Sequence, residues 1–125
     1  MTVNMMITKS KITISNIIEF IHTAMNNNLE VSVSGFITYK YGFDVINNDI
    51  QIRFLINEDC IVISTYEQGH LHIDTNLTER DKLDLEALKL DIKEYNEEKA
   101  INLFNDFFNY VPKTPVNIDN LDDDD

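Results

Sequence analysis

The stretch DIQIRFLINEDCIVISTYEQGHLHID, residues 49–74, decides how the rest of the chain is read. Ile50, Ile52, Phe54 and Ile56 alternate with Gln51, Arg53, Leu55 and Asn57. A period of two is the mark of a strand with one buried face. Asn57-Glu58-Asp59-Cys60 supplies a tight loop. Setting Ile56 opposite Ile61 pairs Phe54 with Ile63 and Ile52 with Thr65, which gathers the apolar side chains of both strands on one side. A slip of one residue would set Ile56 against Cys60 and divide that set between faces. A second loop, Glu67-Gln68-Gly69, holds a glycine able to take positive φ. With Tyr66 opposite His70, Leu71 and Ile73 join the apolar side. The other face then carries Gln51, Arg53, Val62, Ser64, Tyr66, His70, His72 and Asp74. One core face and one mixed face predict an α+β fold: an antiparallel sheet covered on one side by helices.

Upstream, Val3 to Thr8 is either an edge strand or loose chain. Ile14, Ile17, Ile18, Ile21 and Met25 fall on one stripe of a helix that Thr13 or Ser15 caps and Asn26-Asn27-Asn28 ends. Leu29 to Tyr41 reads as one long strand, with Gly35 marking a bulge or a close approach to the backbone. Gly42 to Asn48 reads as a loop whose Phe43, Val45 and Ile46 either fold back over the sheet edge, the preferred reading, or stand exposed as a contact patch. Downstream, Thr78 and Asp81 have the spacing of a capping box. A helix from about Glu79 to Leu88 follows. Leu88, Leu90 and Ile92 fit a fifth strand as well as a helix running on to about Glu94. The helix is the preferred reading. Asn96 caps a last helix, with Ala100, Ile101, Phe104, Phe107, Phe108 and Val111 on its apolar stripe and Pro112 as its stop. The sheet therefore has four or five strands. Phe54, Ile61, Ile63, Leu71, Ile73, Ile17, Ile21, Phe104 and Phe108 are the expected core, within one domain over 1–111. The acidic segment 112–125 has the composition of a flexible tail.

Composition bounds the function. A chain of 125 residues with 43% hydrophobic residues can bury one core. Net charge −12 opposes direct binding to nucleic acid or to an anionic membrane. Cys60 is the only cysteine, so no intrachain disulfide forms. No secretory signal pattern or apolar run of membrane-spanning length is present, and a cytoplasmic setting is expected. Acid gathers in the second half: Glu67 to Val111 holds eleven acids against five bases.

Motifs for chemistry are sparse. Gly35, Gly42 and Gly69 lie too far apart for a phosphate loop, and no Gly-x-Ser-x-Gly or Cys-x-x-Cys pattern occurs. His70, His72 and Asp74 share one strand face at a spacing that a metal could use. Polar side chains on a solvent-facing strand are the preferred reading of these three residues, so neither a metal nor another cofactor is expected. His22 sits between the Ile stripe and solvent, where a structural histidine is the ordinary case. No enzymatic activity is expected.

The order of elements and the charge resemble those of phage-encoded anti-CRISPR inhibitors of Cas9. The resemblance is carried by 14–28, 29–37, 49–66 and 97–111, without a shared motif. It implies a protein that blocks a nucleic-acid site with acidic side chains, and it transfers no individual residue. Acidic bacterial immunity proteins, which neutralise basic toxins, share the same features. The expected function is thus non-enzymatic inhibition of a basic nucleic-acid-handling partner, with an immunity protein or small adaptor as the alternative. Glu58, Asp59, Glu67, Asp81, Asp84, Glu86 and Asp91 are the expected partner-binding residues.

Overall fold

Five strands form one open antiparallel sheet in the order β1-β2-β3-β4-β5: β1 (Glu30–Val33), β2 (Tyr41–Asn47), β3 (Ile50–Ile56), β4 (Cys60–Thr65) and β5 (Gly69–Asp74). Two helices complete the fold, α1 (Ile14–Asn26) and α2 (Glu79–Tyr110). The computed structural model describes residues 12–35, 38–65 and 69–110. The possible edge strand at 3–8, Tyr66 and Glu67 of the expected second loop, and the acidic segment 112–125 lie outside them. The chain divides into two compact units, Met1–Tyr95 and Asn96–Asp125.

The pairing of β3 with β4 has the expected register, Ile56 with Ile61, Phe54 with Ile63 and Ile52 with Thr65. Between β4 and β5 the register differs: His70 lies opposite Ser64, not Tyr66. The shift is two residues, so every side chain keeps its face. Gly69 has φ +78°, the left-handed conformation its place in the turn requires.

The largest correction concerns residues 29–48. The expected long strand ends at Val33, and the expected apolar loop Gly42–Asn48 is most of β2. Phe43 and Val45 are buried in the core and Ile46 is half-buried, so no contact patch exists there. The reason lies in the return of the chain between β1 and β2. The Asn57 side chain pins that return, accepting from Lys40 N at 2.9 Å and donating to Thr38 O at 2.8 Å. β2 can then pair with β1 on one side and β3 on the other, satisfying its backbone groups. The close approach expected at Gly35 occurs at Gly42. A β-carbon there would stand 2.9 Å from the Ser34 carbonyl oxygen, whereas Gly35 has open space around it.

Cross-strand rows build the core face. One row runs Val33, Phe43, Phe54, Ile63, Leu71, and another runs Tyr41, Ile56, Ile61, Ile73. Ile14, Ile17, Ile21 and Ala24 of α1 and Leu85, Leu88 and Ile92 of α2 pack in the same cluster with Phe43, Phe54, Ile56 and Ile61. Each such aliphatic or aromatic side chain contributes about 1.5–3 kcal/mol on burial. Both helices therefore cover one face, as expected. Of the two caps offered for α1, Thr13 is the one used, in a capping box with Asn16, and the expected Thr78 and Asp81 exchange bonds of 3.0 and 3.1 Å at the start of α2. Asn28, with φ 64°, turns the chain out of α1.

α2 is one helix of 32 residues, not two helices or a helix and a strand. Asn96, the expected cap, lies inside it. Phe104 and Phe108 are 64% and 55% exposed and do not belong to the core. Leu77, Leu85, Leu88 and Ile92 occupy the core places that the expected set gave to those phenylalanines. The apolar ladder Leu85, Leu88, Ile92, Tyr95 would continue onto Lys99 and Asn102 at helical spacing.

Candidate partner-binding surface

Five of the seven acids expected to bind a partner already hold partners in their own chain. Glu58 projects from the β3–β4 loop, where Lys40 Nζ reaches it at 2.9 Å and Lys82 Nζ at 3.3 Å. The Lys40 ammonium, and after it that of Lys82, holds the Glu58 carboxyl below the usual carboxylate range. Glu79 and Glu58 together raise Lys82 above the ordinary lysine value. Asp81 is used in the cap of α2. Asp84 pairs with Arg80 at 3.1 Å, Glu86 with Lys89 at 3.6 Å and Asp91 with His22 at 3.2 Å. Asp59 is exposed, and Glu67 lies outside the described residues.

Asp84 and Asp91 share a groove between α1 and α2 with Glu19 and His22. Glu58 and Asp59 sit together on the β3–β4 loop, and Glu86 lies beside Tyr41. The set is thus distributed over several places. Burial, and then the Glu86 carboxylate, raise the Tyr41 phenol above its ordinary value.

Of the expected acids only Asp59 is exposed and free of ion pairs among the described residues; the other acids in that condition were not singled out. On α2 these include Glu94, Glu97, Glu98 and Asp106, all exposed. α2 as a whole carries nine acids and five bases. The sequence carries part of the signal: Glu94, Glu97, Glu98 and Asp106 outnumber Lys93 and Lys99 in the last turns, although Lys93 stands four residues before Glu97, the same spacing as Arg80 and Asp84.

One carboxylate is buried. Asp44 of β2 is 7% exposed and accepts from Arg53 Nε at 2.7 Å, from Arg53 Nη2 at 3.3 Å and from the Ser34 hydroxyl. Asp44 raises the Arg53 guanidinium further above its ordinary value. The pair lies directly opposite in register on the sheet face away from the helix core cluster. Reading 42–48 as a loop hid it. Its saturated hydrogen bonding marks it as a structural bond between β1, β2 and β3.

The remaining candidates for chemistry do not assemble. Among the described residues no group of three His, Cys, Asp or Glu side chains is placed to hold a metal. His72 Nδ1 and Asp74 Oδ1 are 3.8 Å apart and exposed, and His70 stands opposite Ser64. Burial, and then Asp59, raise the Cys60 thiol above the free-cysteine value, which disfavours the reactive thiolate. An apolar cleft is lined by Ile12, Asn16, Ile17, Phe20, Ile52, Phe54 and Ile63. The Asn16 carboxamide oxygen is committed to the α1 cap, so the cleft offers little to orient a polar ligand.

Among the described residues no helix is long and apolar enough to cross a membrane. No protein-family model, curated protein or solved structure matches the chain.

Proposed function

We propose that this chain is a non-enzymatic binding protein that inhibits a basic, nucleic-acid-handling partner in the cytoplasm, by presenting acidic side chains where that partner would hold phosphates. An anti-CRISPR or other anti-defence inhibitor acts in this way. The observation that carries the reading is the set of exposed acids of α2 that hold no ion pair among the described residues, Glu94, Glu97, Glu98 and Asp106, in a chain of net charge −12. Carboxylates already neutralised by a neighbouring lysine or arginine attract a partner less than unpaired ones. Glu58, Asp59, Asp84, Glu86 and Asp91 add to the long-range field.

The test is capture of the partner from host cells, followed by competition with DNA or RNA. Association should slow as salt rises, because screening shortens the steering field to about 8–10 Å near physiological ionic strength. Replacing Glu94, Glu97 and Glu98 by Gln and Asp106 by Asn should slow association about tenfold while leaving the melting temperature unchanged. An acidic partner, or one whose nucleic-acid binding is untouched at saturation, would leave an immunity protein or adaptor in place of a mimic.

A further inference from the structure

β5 ends the sheet, and among the described residues it pairs with β4 alone. Its backbone parity follows from one bond just beyond it. Thr75 donates its N–H to the Asp59 carbonyl at 3.0 Å, one step along the register that sets Cys60 opposite Asp74. In an antiparallel ladder, residues that bond the neighbouring strand alternate with residues whose N–H and C=O turn the other way. Gly69, Leu71 and Ile73 therefore bond toward β4, and the backbone groups of His70, His72 and Asp74 turn outward. Those three residues are exposed. Sheet edges are ordinarily blunted by lysine, proline or a bulge, and Gly-His-Leu-His-Ile-Asp, in unbroken register with β4, has none of these.

We propose that β5 pairs with β5 of a second copy of the chain, antiparallel about a twofold axis at His72, so that two five-stranded sheets join into one. The strand is complementary to itself, and that selects the occupant. In this register the outward groups of His72 bond those of the partner's His72, and the outward groups of His70 bond those of the partner's Asp74, so none is left over. The side chains directly opposite match as well. His70 faces the partner's Asp74 at both ends of the contact, and an imidazole N–H donates to a carboxylate without having to be charged. On the core side Leu71, half-buried in one copy, faces the partner's Ile73. The apolar rows that end on β5 thus run on across the axis. Moving the register by two residues either way leaves outward groups unpaired and separates His70 from Asp74. The contact is small, so the dimer is a weak one that forms with concentration. It does not rest on the inhibitor reading: both copies carry net charge −12, so added salt tightens it, whereas salt weakens a contact with a basic partner.

The test is sedimentation velocity of the full chain from about 1 μM to about 500 μM, with amide hydrogen exchange at both ends of that range. The wild type should pass from monomer to dimer, and the amides of His70, His72 and Asp74 should exchange freely in the monomer and slowly in the dimer. His72→Pro should stay monomeric throughout and melt like the wild-type monomer, because proline is tolerated on an edge strand whose N–H faces away from the sheet. His70→Asp should weaken the dimer about tenfold by setting two carboxylates face to face. Adding Asp74→His should restore it to within about threefold, which only this register predicts. A wild type that stays monomeric, a dimer that survives His72→Pro, or a swapped pair that recovers nothing would each overturn the proposal. So would protection of the three amides in the monomer, which would show that the chain covers its own edge, or protection only on addition of another protein, which would assign the edge to that partner.

Discussion

Leu88→Ala and Phe104→Ala, two substitutions on the same helix, should behave oppositely. Leu88 is 1% exposed and packs in the core cluster with Leu85, Ile92 and the sheet rows. Truncating it removes the transfer energy of the lost carbons and leaves a cavity, so the expected cost is about 2–5 kcal/mol. Phe104 is the larger side chain, yet it is 64% exposed. Its truncation should change stability by less than about 0.5 kcal/mol. With a urea slope of about 1.5 kcal/mol/M, Leu88→Ala should lower the unfolding midpoint by about 2 M and Phe104→Ala by less than about 0.4 M. Circular dichroism in urea is the appropriate assay, because it reads the loss of helix and sheet directly. A loss of more than about 2 kcal/mol for Phe104→Ala, or less than about 1 kcal/mol for Leu88→Ala, would refute this division of the helix.

Arg53→Met should cost about 2–3 kcal/mol in urea melts, because it strands the buried Asp44 carboxylate beside Ser34; the figure is discounted for the one-third exposure of Arg53. Adding Asp44→Leu should recover most of that loss, and a double variant no better than the single would show that the carboxylate was not the source. Because the Tyr41 phenol is raised in the folded chain, the unfolded state ionises first as pH climbs past about 10, so stability should fall with rising pH from there up to the folded value. Tyrosinate absorbance of the folded protein should lag behind that of the urea-unfolded chain, and coincident titrations would contradict the buried setting.

What could be read in advance was local. The alternation of Ile52, Phe54 and Ile56 against Ile61 and Ile63 determines both faces of β3 and β4, and the Thr13 and Thr78 caps are short-range chemistry. What escaped depends on distant residues. Phe43 and Val45 alternate as well as any pair in the chain, but they become a strand because Asn57 holds the return at Thr38 and Lys40. Phe104 has a helical stripe like that of Ile17 and Ile21, and periodicity does not say whether a stripe meets a sheet or water. For the binding surface, sequence showed where acids are dense, but not which of them Lys40, Lys82 and Arg80 already occupy.

Because every strand pairs with its neighbour in the chain, the sheet can assemble by successive hairpins, each closing a short loop. Such local topology favours fast folding. The helices impose the opposite demand. Tyr95 donates its hydroxyl to the Leu29 carbonyl across most of the chain, and α1 shares its cluster with Leu85, Leu88 and Ile92. During synthesis, then, the Ile14, Ile17 and Ile21 stripe emerges early and waits for α2 before it is fully sealed. The sheet should therefore form before its cover does, with the late step in folding being closure of that cover. Substitutions at Leu88 or Ile92 should mainly speed unfolding, and those in the β3–β4 hairpin should slow folding.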